Sequence, residues 1–113
     1  NKVKKLKGKK QIQLLFEEGA SINDFPLRLI YMESQSLGFG VSVGKRNFKL
    51  AVLRNRIKRQ MRAAAELHFF DSIKETKKPY NFMVIYTGKS IPKWGEIEKK
   101  FKDIARKLKK KDL

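Results

Sequence analysis

Apolar positions recur at helical spacing in three segments of the chain. Between Leu50 and about Phe69 they fall in a single stripe, formed by Leu53, Ile57, Met61, Ala64 and His68. Gln11 to Glu18 predicts a shorter amphipathic helix, followed by Gly19 at a C-cap position. Gly95 to Lys111 predicts a closing helix, whose inward positions are Ile97, Phe101, Ile104 (or Ala105) and Leu108.

Other segments follow the two-residue period of strands. Leu27 to Met32 alternates, with Leu27, Leu29 and Tyr31 on one face and Arg28, Ile30 and Met32 on the other. Leu37 to Val43 predicts a second strand, and the nearly continuous apolar run Asn81 to Thr87 predicts a central one. The order helix, two or more strands, helix, strand, helix indicates an α+β sandwich. The long helix would then be a crossover between strands of one sheet.

The long helix and the loop before it carry an unusual charge pattern. No Asp or Glu occurs from Ser34 to Ala65, whereas the cations there are Lys45, Arg46, Lys49, Arg54, Arg56, Lys58, Arg59 and Arg62. Surface helices normally alternate signs, because like charges at helical spacing repel each other. A polyanionic partner relieves that repulsion, and the arginine fork matches phosphate or a guanine edge. The pattern therefore favours a nucleic-acid surface over a merely solvated basic helix.

Composition supports the same interpretation. The 113 residues predict one domain, 1–113, with residues 1–10 as a basic N-terminal arm. A net charge of +17 and a pI near 10.3 imply a nucleic acid or an anionic membrane as partner. No apolar run approaches the ~18 to 20 residues of a membrane-spanning helix, so no membrane partner is expected. The absence of cysteine fits a reducing, cytoplasmic compartment.

The sequence offers no catalytic constellation of its own. His68, the single histidine, belongs to the apolar stripe and is expected to be a core or boundary residue. Glu17 and Glu18 point about 100° apart on a helix and do not form a carboxylate pair. Phosphate-binding glycine motifs are absent. Any catalysis is expected to come from another component, with no catalytic and no metal-ligating residue in this chain.

One run of residues resembles a known family. Gly40-Val41-Ser42-Val43 leads through Lys45-Arg46 to Ala51-Val52-Leu53-Arg54-Asn55-Arg56-Ile57-Lys58-Arg59. This run is similar to the signature of the bacterial ribonuclease P protein subunit. Leu6-Lys7, Phe16 and Gly19 agree with the N-terminal part of that family. The resemblance implies a sheet of about four strands packed with three helices, in the order α-β-β-β-α-β-α.

The resemblance also implies a function. A small accessory protein, present as a monomer in the complex, would bind a large catalytic RNA. Together they would remove the 5′ leader of precursor tRNA by endonucleolytic cleavage, with Mg²⁺ held mainly by the RNA.

Residue roles follow from the same resemblance. Lys45, Arg46, Arg54, Arg56 and Arg59 would contact RNA, and Lys49 lies in the same basic loop. A cleft between the basic helix and the sheet would hold the single-stranded leader. Its edge would be Asn55, Lys58 and Arg62, and its aromatic floor would be Phe16 and Tyr31. Core packing is the alternative for both aromatic residues.

The sequence departs from the family pattern at a few positions. Phe48-Lys49 stands where many members have Val-Gly, and Ala63 stands where an acid is usual. Two other classes share the charge and size of this chain. A structural ribosomal RNA-binding protein would need no leader cleft, and a DNA-binding protein would be expected to show helix-turn-helix spacing, which is not visible here.

Overall fold

A mixed sheet is the framework of the molecule. The computed structural model describes residues 3–6 and 8–113. In chain order its elements are β1 (Lys4–Lys5), α1 (Lys9–Glu18), β2 (Ala20–Asp24), β3 (Leu27–Glu33), β4 (Gly38–Val43), α2 (Ala51–His68), α3 (Phe70–Lys74), β5 (Tyr80–Tyr86) and α4 (Trp94–Lys109). The α+β class is confirmed, and so is the predicted order of the larger elements. The two-residue β1 and the five-residue α3 are additions that the sequence pattern did not predict.

The strand order in the sheet is β1-β4-β5-β3-β2. β5 lies at the centre, as its continuous apolar run predicted, and it pairs in parallel with β4. β3 pairs antiparallel with both β5 and β2. Because β4 and β5 are parallel neighbours, the chain between them must cross from one end of the sheet to the other. α2 makes most of that crossing, which confirms its predicted role as a crossover.

The sheet buries apolar side chains on both faces. On the face covered by α2 and α4, called here the helix face, Leu27, Leu29 and Tyr31 belong to the main core. On the opposite, outer face, Ile30 packs in a smaller cluster, with Met32 against it. The alternation predicted for β3 is therefore confirmed, and both of its sides are used.

Helix α1 covers part of the outer face. Its Leu15 is buried against Ile30 and Met83, together with Leu6 from the segment that precedes the helix. Gly19 ends the helix, and its N–H donates to the Leu15 carbonyl over 2.9 Å. A Cβ at this position would lie 2.4 Å from the same carbonyl oxygen, so the chain can leave the helix here only with glycine.

The predicted basic arm contributes to the fold. Lys4 and Lys5 pair with β4, Leu6 is buried, and α1 begins at Lys9. Arm residues Asn1, Lys2 and Lys7 lie outside the described residues. No helix in residues 3–6 and 8–113 combines the length and the apolar character required to cross a membrane.

Candidate RNA interface

Helix α2 has a buried side and an exposed basic side. Ile57, Met61 and Ala64 are fully buried against the sheet, as the apolar stripe predicted. Arg56 and Arg59 are exposed on the opposite side of the helix. At 100° per residue these two arginines lie about 60° apart, so they present one continuous cationic surface.

The cations of this region have no acidic partner in the part of the chain that the structure describes. None of the salt bridges there involves Lys45, Arg46, Lys49, Arg54, Arg56, Lys58, Arg59 or Arg62. Charges that the fold does not neutralise attract a counterion atmosphere, and a polyanion that displaces those ions gains their release. These cations are therefore free of competing acids of the described residues and can attract a polyanion.

Arg54 differs from its neighbours because it bonds to the backbone. One of its terminal nitrogens donates to the carbonyl oxygens of Phe48 and Lys49, each over 2.8 Å. These bonds tie the first turn of α2 to the preceding loop. Arg54 is thus a loop anchor, whatever contact its remaining N–H groups make with RNA.

The basic loop between β4 and α2 is anchored from both sides. Phe48 is buried, with its ring centroid 6.1 Å from that of Tyr86, and the Asn47 side-chain amide donates to the Gly88 carbonyl over 3.3 Å. Tyr86 donates its hydroxyl to the Ser90 carbonyl over 2.6 Å. Burial, with a smaller contribution from the charge of Glu96, raises the pKa of Tyr86.

The predicted loop cations project from this anchored backbone. Lys45, Arg46 and Lys49 are all exposed. They flank the N-terminal turns of α2, so the loop and the helix form one basic surface, as the sequence predicted. The Phe48-Lys49 departure from the family pattern supplies both the aromatic anchor and one of these cations.

A groove lies beside α2, at the β1–β4 edge of the sheet. Its volume is about 380 Å³, and its lining includes Arg62 and Glu66 from α2 and Lys4 and Lys5 from β1. Asn55, Lys58 and Arg62 fall within about 60° of one another around the helix, so they share the flank that faces this edge. Of the predicted cleft edge, Arg62 lines this groove, whereas Asn55 and Lys58 lie on the same flank of α2 outside its lining.

Aromatic rings also line this groove. Phe39 of β4 and Phe70 of α3 both border it, with ring centroids 5.0 Å apart in an edge-to-face arrangement. Phe39 is buried in the main core, whereas Phe70 is partly exposed. The groove thus combines cations with an aromatic wall. Proteins that bind single-stranded nucleic acids use this combination.

Phe16 and Tyr31, the predicted aromatic floor, are not brought together. Tyr31 is 7% exposed on the helix face, with its ring centroid 6.1 Å from that of Tyr80. Burial, and to a lesser extent the neighbouring Tyr80, raises the pKa of Tyr31. Phe16 belongs to α1 on the outer face and is 48% exposed. The prediction of a shared floor is wrong, because the sheet separates the two rings and Tyr31 takes the alternative core position.

Comparison with known proteins assigns the family. The ribonuclease P family model matches residues 1–109. The ribonuclease P protein component of Porphyromonas gingivalis is 30% identical over 99 residues, which cover 79% of this chain and 71% of that protein.

The chain belongs to the ribonuclease P protein family.

Solved structures agree with the fold. The Staphylococcus aureus RNase P protein superposes with a TM-score of 0.73 at 22% identity, covering 99% of this chain and all of the other. The Thermotoga maritima RNase P protein also gives 0.73, at 17% identity, covering 92% and 96% of the two chains. As a member of the family, the chain is a protein subunit of ribonuclease P, an endoribonuclease of tRNA processing in which it associates with an RNA subunit.

Of the residues that line the groove, only Arg62 was predicted as a site residue; Lys5, Phe39 and Phe70 are among those that were not. Lys5 was assigned to a basic arm, because a two-residue strand is too short to show a period. Phe39 and Phe70 were overlooked as members of a groove, since their approach depends on how α3 turns back towards β4. A hint was available in the sequence, where Phe69-Phe70 ends the helical pattern with two adjacent aromatic residues.

The side chains best suited to acid–base or metal chemistry are His68 and the acidic residues. His68 forms a 2.8 Å contact between its Nε2 and Glu98 Oε2 and is partly buried, so it occupies the expected boundary position. In residues 3–6 and 8–113, no three His, Cys, Asp or Glu side chains are grouped as metal ligands. These side chains do not fit a Mg²⁺ site, and no catalytic step is assigned to them.

Proposed function

We propose that this ribonuclease P subunit binds the catalytic RNA through the exposed side of α2 and the anchored basic loop. The observation that carries the proposal is a set of cations that have no acidic partner among the described residues, on a family member of net charge +17. Arg56 and Arg59 face outward, and Lys45, Arg46 and Lys49 extend the surface beyond the helix. Guanidinium groups pair with phosphate oxygens in a planar, bidentate manner, which suits a structured RNA.

The groove beside α2 is the proposed binding site for the 5′ leader of precursor tRNA. An extended single strand exposes both phosphates and base faces. The groove offers Arg62, Lys4 and Lys5 for the phosphates and Phe70 for the bases. Lys58 lies on the same flank of α2, beside the groove. Glu66 also borders the groove and limits its positive charge. A duplex presents no free base faces, so this groove favours single-stranded RNA.

Phe16 forms a separate surface on the outer face. It lies about 200° from Leu14 around α1, and Leu14 borders a hollow with Glu33 and Asn81. Phe16 therefore points to the other flank of α1. We propose that a strand leaving the groove around the β1–β4 edge can stack on this ring.

Cleavage chemistry is assigned to the RNA subunit, which would hold the Mg²⁺ ions that activate water and stabilise the leaving oxygen. The protein's part is to position the precursor and to neutralise phosphate repulsion. We further propose that the subunit acts in the cytoplasm. Each complex would contain a single copy of it.

Reconstitution tests this division of labour. RNA-free protein incubated with precursor tRNA and Mg²⁺ should leave the precursor intact, and addition of the catalytic RNA should produce cleavage at the mature 5′ end. Metal-dependent cleavage by the protein alone would contradict the assignment of catalysis to RNA.

The leader groove is tested by the affinities of the assembled enzyme for precursor and mature tRNA at one salt concentration. The protein should tighten binding of the precursor far more than that of the mature tRNA. Lys58→Ala with Arg62→Ala should remove most of that difference, and Lys99→Ala with Lys102→Ala, on the exposed side of α4, is the control of equal charge. Phe16→Ala measures the outer-face contribution separately. Equal gains on both RNAs would show that the protein only neutralises charge.

A further inference from the structure

A second hollow lies at the other end of the sheet from the basic loop, and four lysines line it. Its volume is about 440 Å³, within the range of small-molecule sites. The lysines are Lys4, Lys74, Lys77 and Lys78, and no acid contributes to the lining. The sequence pattern gave no sign of this hollow, because its walls come from β1, α3 and the segments before β4 and β5.

The floor of the hollow is apolar and its rim is fixed. Leu37, Ile73 and Pro79 supply the apolar surface. The Thr76 hydroxyl lies 3.1 Å from the Ile73 carbonyl and 2.8 Å from the Lys78 carbonyl, both of which can accept its hydrogen bond. An apolar floor bordered by cations suits a nucleotide, with the base on the floor and the phosphate among the ammonium groups.

Two of these lysines have acidic neighbours, but the pairs are weak. Lys77 Nζ lies 3.6 Å from an Asp112 carboxylate oxygen, and Lys78 Nζ lies 3.5 Å from Glu33 Oε1. All four side chains are more than half exposed. Exposed pairs of this length are worth ~0 to 1 kcal/mol, so a phosphate can displace the carboxylates.

The hollow adjoins the proposed leader groove. Lys4 lines both, and β1 holds it there by pairing Lys4 with Gly38. α3 connects the two sites along the chain, with Phe70 at the groove and Lys74 at the hollow. A single strand that passes Arg62 and Lys4 therefore reaches the hollow without leaving the protein surface.

We propose that the hollow is a distal subsite for the leader, which binds a nucleotide farther from the cleavage site than those in the groove. The proposal rests on the leader-binding function proposed above. It implies that affinity rises in two increments as the leader is lengthened. The first increment belongs to the groove, and the second begins when the strand reaches the lysine-lined hollow.

The test measures binding of precursor tRNAs with leaders of increasing length to the holoenzyme, assembled from the protein and its cognate catalytic RNA. With Lys74→Ala and Lys78→Ala, the second increment should fall by roughly threefold to tenfold and the salt dependence of long-leader binding should weaken by about one contact. Lys99→Ala with Lys102→Ala removes the same charge elsewhere. Lys74→Gln with Lys78→Gln removes the charge but keeps most of the side chain, and so checks that lost packing is not the cause.

The outcomes separate the two proposals. Loss of the second increment alone, in both hollow variants but not in the α4 control, supports the subsite. The subsite is overturned if the second increment is absent from the unaltered enzyme, survives in the hollow variants, or is lost equally in the control. Weaker binding at every leader length, or weaker assembly with the catalytic RNA, also overturns it. If even the first increment is missing, the leader groove itself is wrong.

Discussion

Helices α2 and α4 both pack an apolar stripe on the same face of the sheet, yet they use their cations differently. In α4, three of the six cations pair with acids of the fold: Lys100 and Lys107 with Asp24, and Arg106 with Asp103. In α2, Arg56 and Arg59 pair with no acid among the described residues. Among the described residues, the fold therefore uses half of the Lys and Arg side chains of α4 in ion pairs and none of those of α2, and this difference favours α2 as the RNA-binding helix.

The largest expected effect comes from the unpaired side of α2. Arg56→Ala with Arg59→Ala should weaken binding to the catalytic RNA by about 2 to 3 kcal/mol and lower the salt slope by about one per residue. The free energy of unfolding should change by less than ~0.5 kcal/mol, since both side chains are exposed. Salt-dependent binding isotherms and urea unfolding measure the two quantities. Lys99→Ala with Lys102→Ala on α4 is the control, and an equal loss of affinity there would abolish the distinction between the helices.

Arg54 is an exception among the cations of α2, because its side chain bonds to the backbone of the preceding loop. Arg54→Ala should lower the free energy of unfolding by about 1 to 2 kcal/mol, because two carbonyl oxygens at the start of the helix lose a charged donor. Arg54→Lys keeps the charge but has a shorter side chain whose ammonium does not reach the position of the Arg54 nitrogen between the two carbonyls, so it should recover RNA affinity more than stability. Urea unfolding and RNA titration of both variants decide this. A variant as stable as the unaltered protein would show that the loop needs no anchor.

Asp24 is the acidic partner of two cations of α4 and so tests the paired side of the comparison. Its carboxylate lies 2.9 Å from Lys100 Nζ and 3.4 Å from Lys107 Nζ, and its side chain is 15% exposed. Burial raises the pKa of Asp24, but the hydrogen bond and charge of Lys100, with Lys107, outweigh burial and leave the pKa below its ordinary value. The stabilisation from these ion pairs is therefore present above the pKa that Asp24 has in the unfolded chain. It is lost as pH falls through the lower pKa of Asp24 in the folded protein.

Asp24→Asn should lower the free energy of unfolding by about 1 kcal/mol at neutral pH, with little change in RNA affinity. The difference from the unaltered protein should begin to shrink as pH falls below ~4, where the unfolded chain protonates this carboxyl, and should disappear as pH falls through the lowered pKa of the folded protein. Urea unfolding at several pH values gives the measurement. A difference that stays constant down to low pH would mean that the carboxylate charge contributes nothing to the fold.

The sequence predicted the elements whose periods are long and left out those set by tertiary contacts. The stripes of α2 and α4 and the alternation of β3 were predicted, because burial on one face imposes a repeat on the sequence. β1 is too short to show a repeat, and its place at the sheet edge depends on Leu6 packing against the outer face.

The same distinction applies to the candidate site: features within one element were predicted, and those that join several elements were not. The unpaired cations of α2 were visible as a stretch without acids, whereas the groove needs Lys5, Phe39 and Phe70 from three separate elements. Tyr31 shows the limit of carrying a role over by resemblance. Its side of the sheet is decided by strand register, and a shift of one residue exchanges the faces.

The smallest expected effect comes from making α2 resemble α4. Ala63 is exposed and follows Arg59 by one helical turn, so Ala63→Glu would give this arginine an acidic partner. The added pair should raise the free energy of unfolding by about 0.2 to 0.5 kcal/mol and weaken RNA binding by less than one full phosphate contact. Ala63→Gln has nearly the same size without the charge and serves as the control. If the two variants bind the catalytic RNA equally at low salt, an acid can be tolerated beside Arg59, and the lack of acids on this side of α2 needs an explanation other than RNA binding.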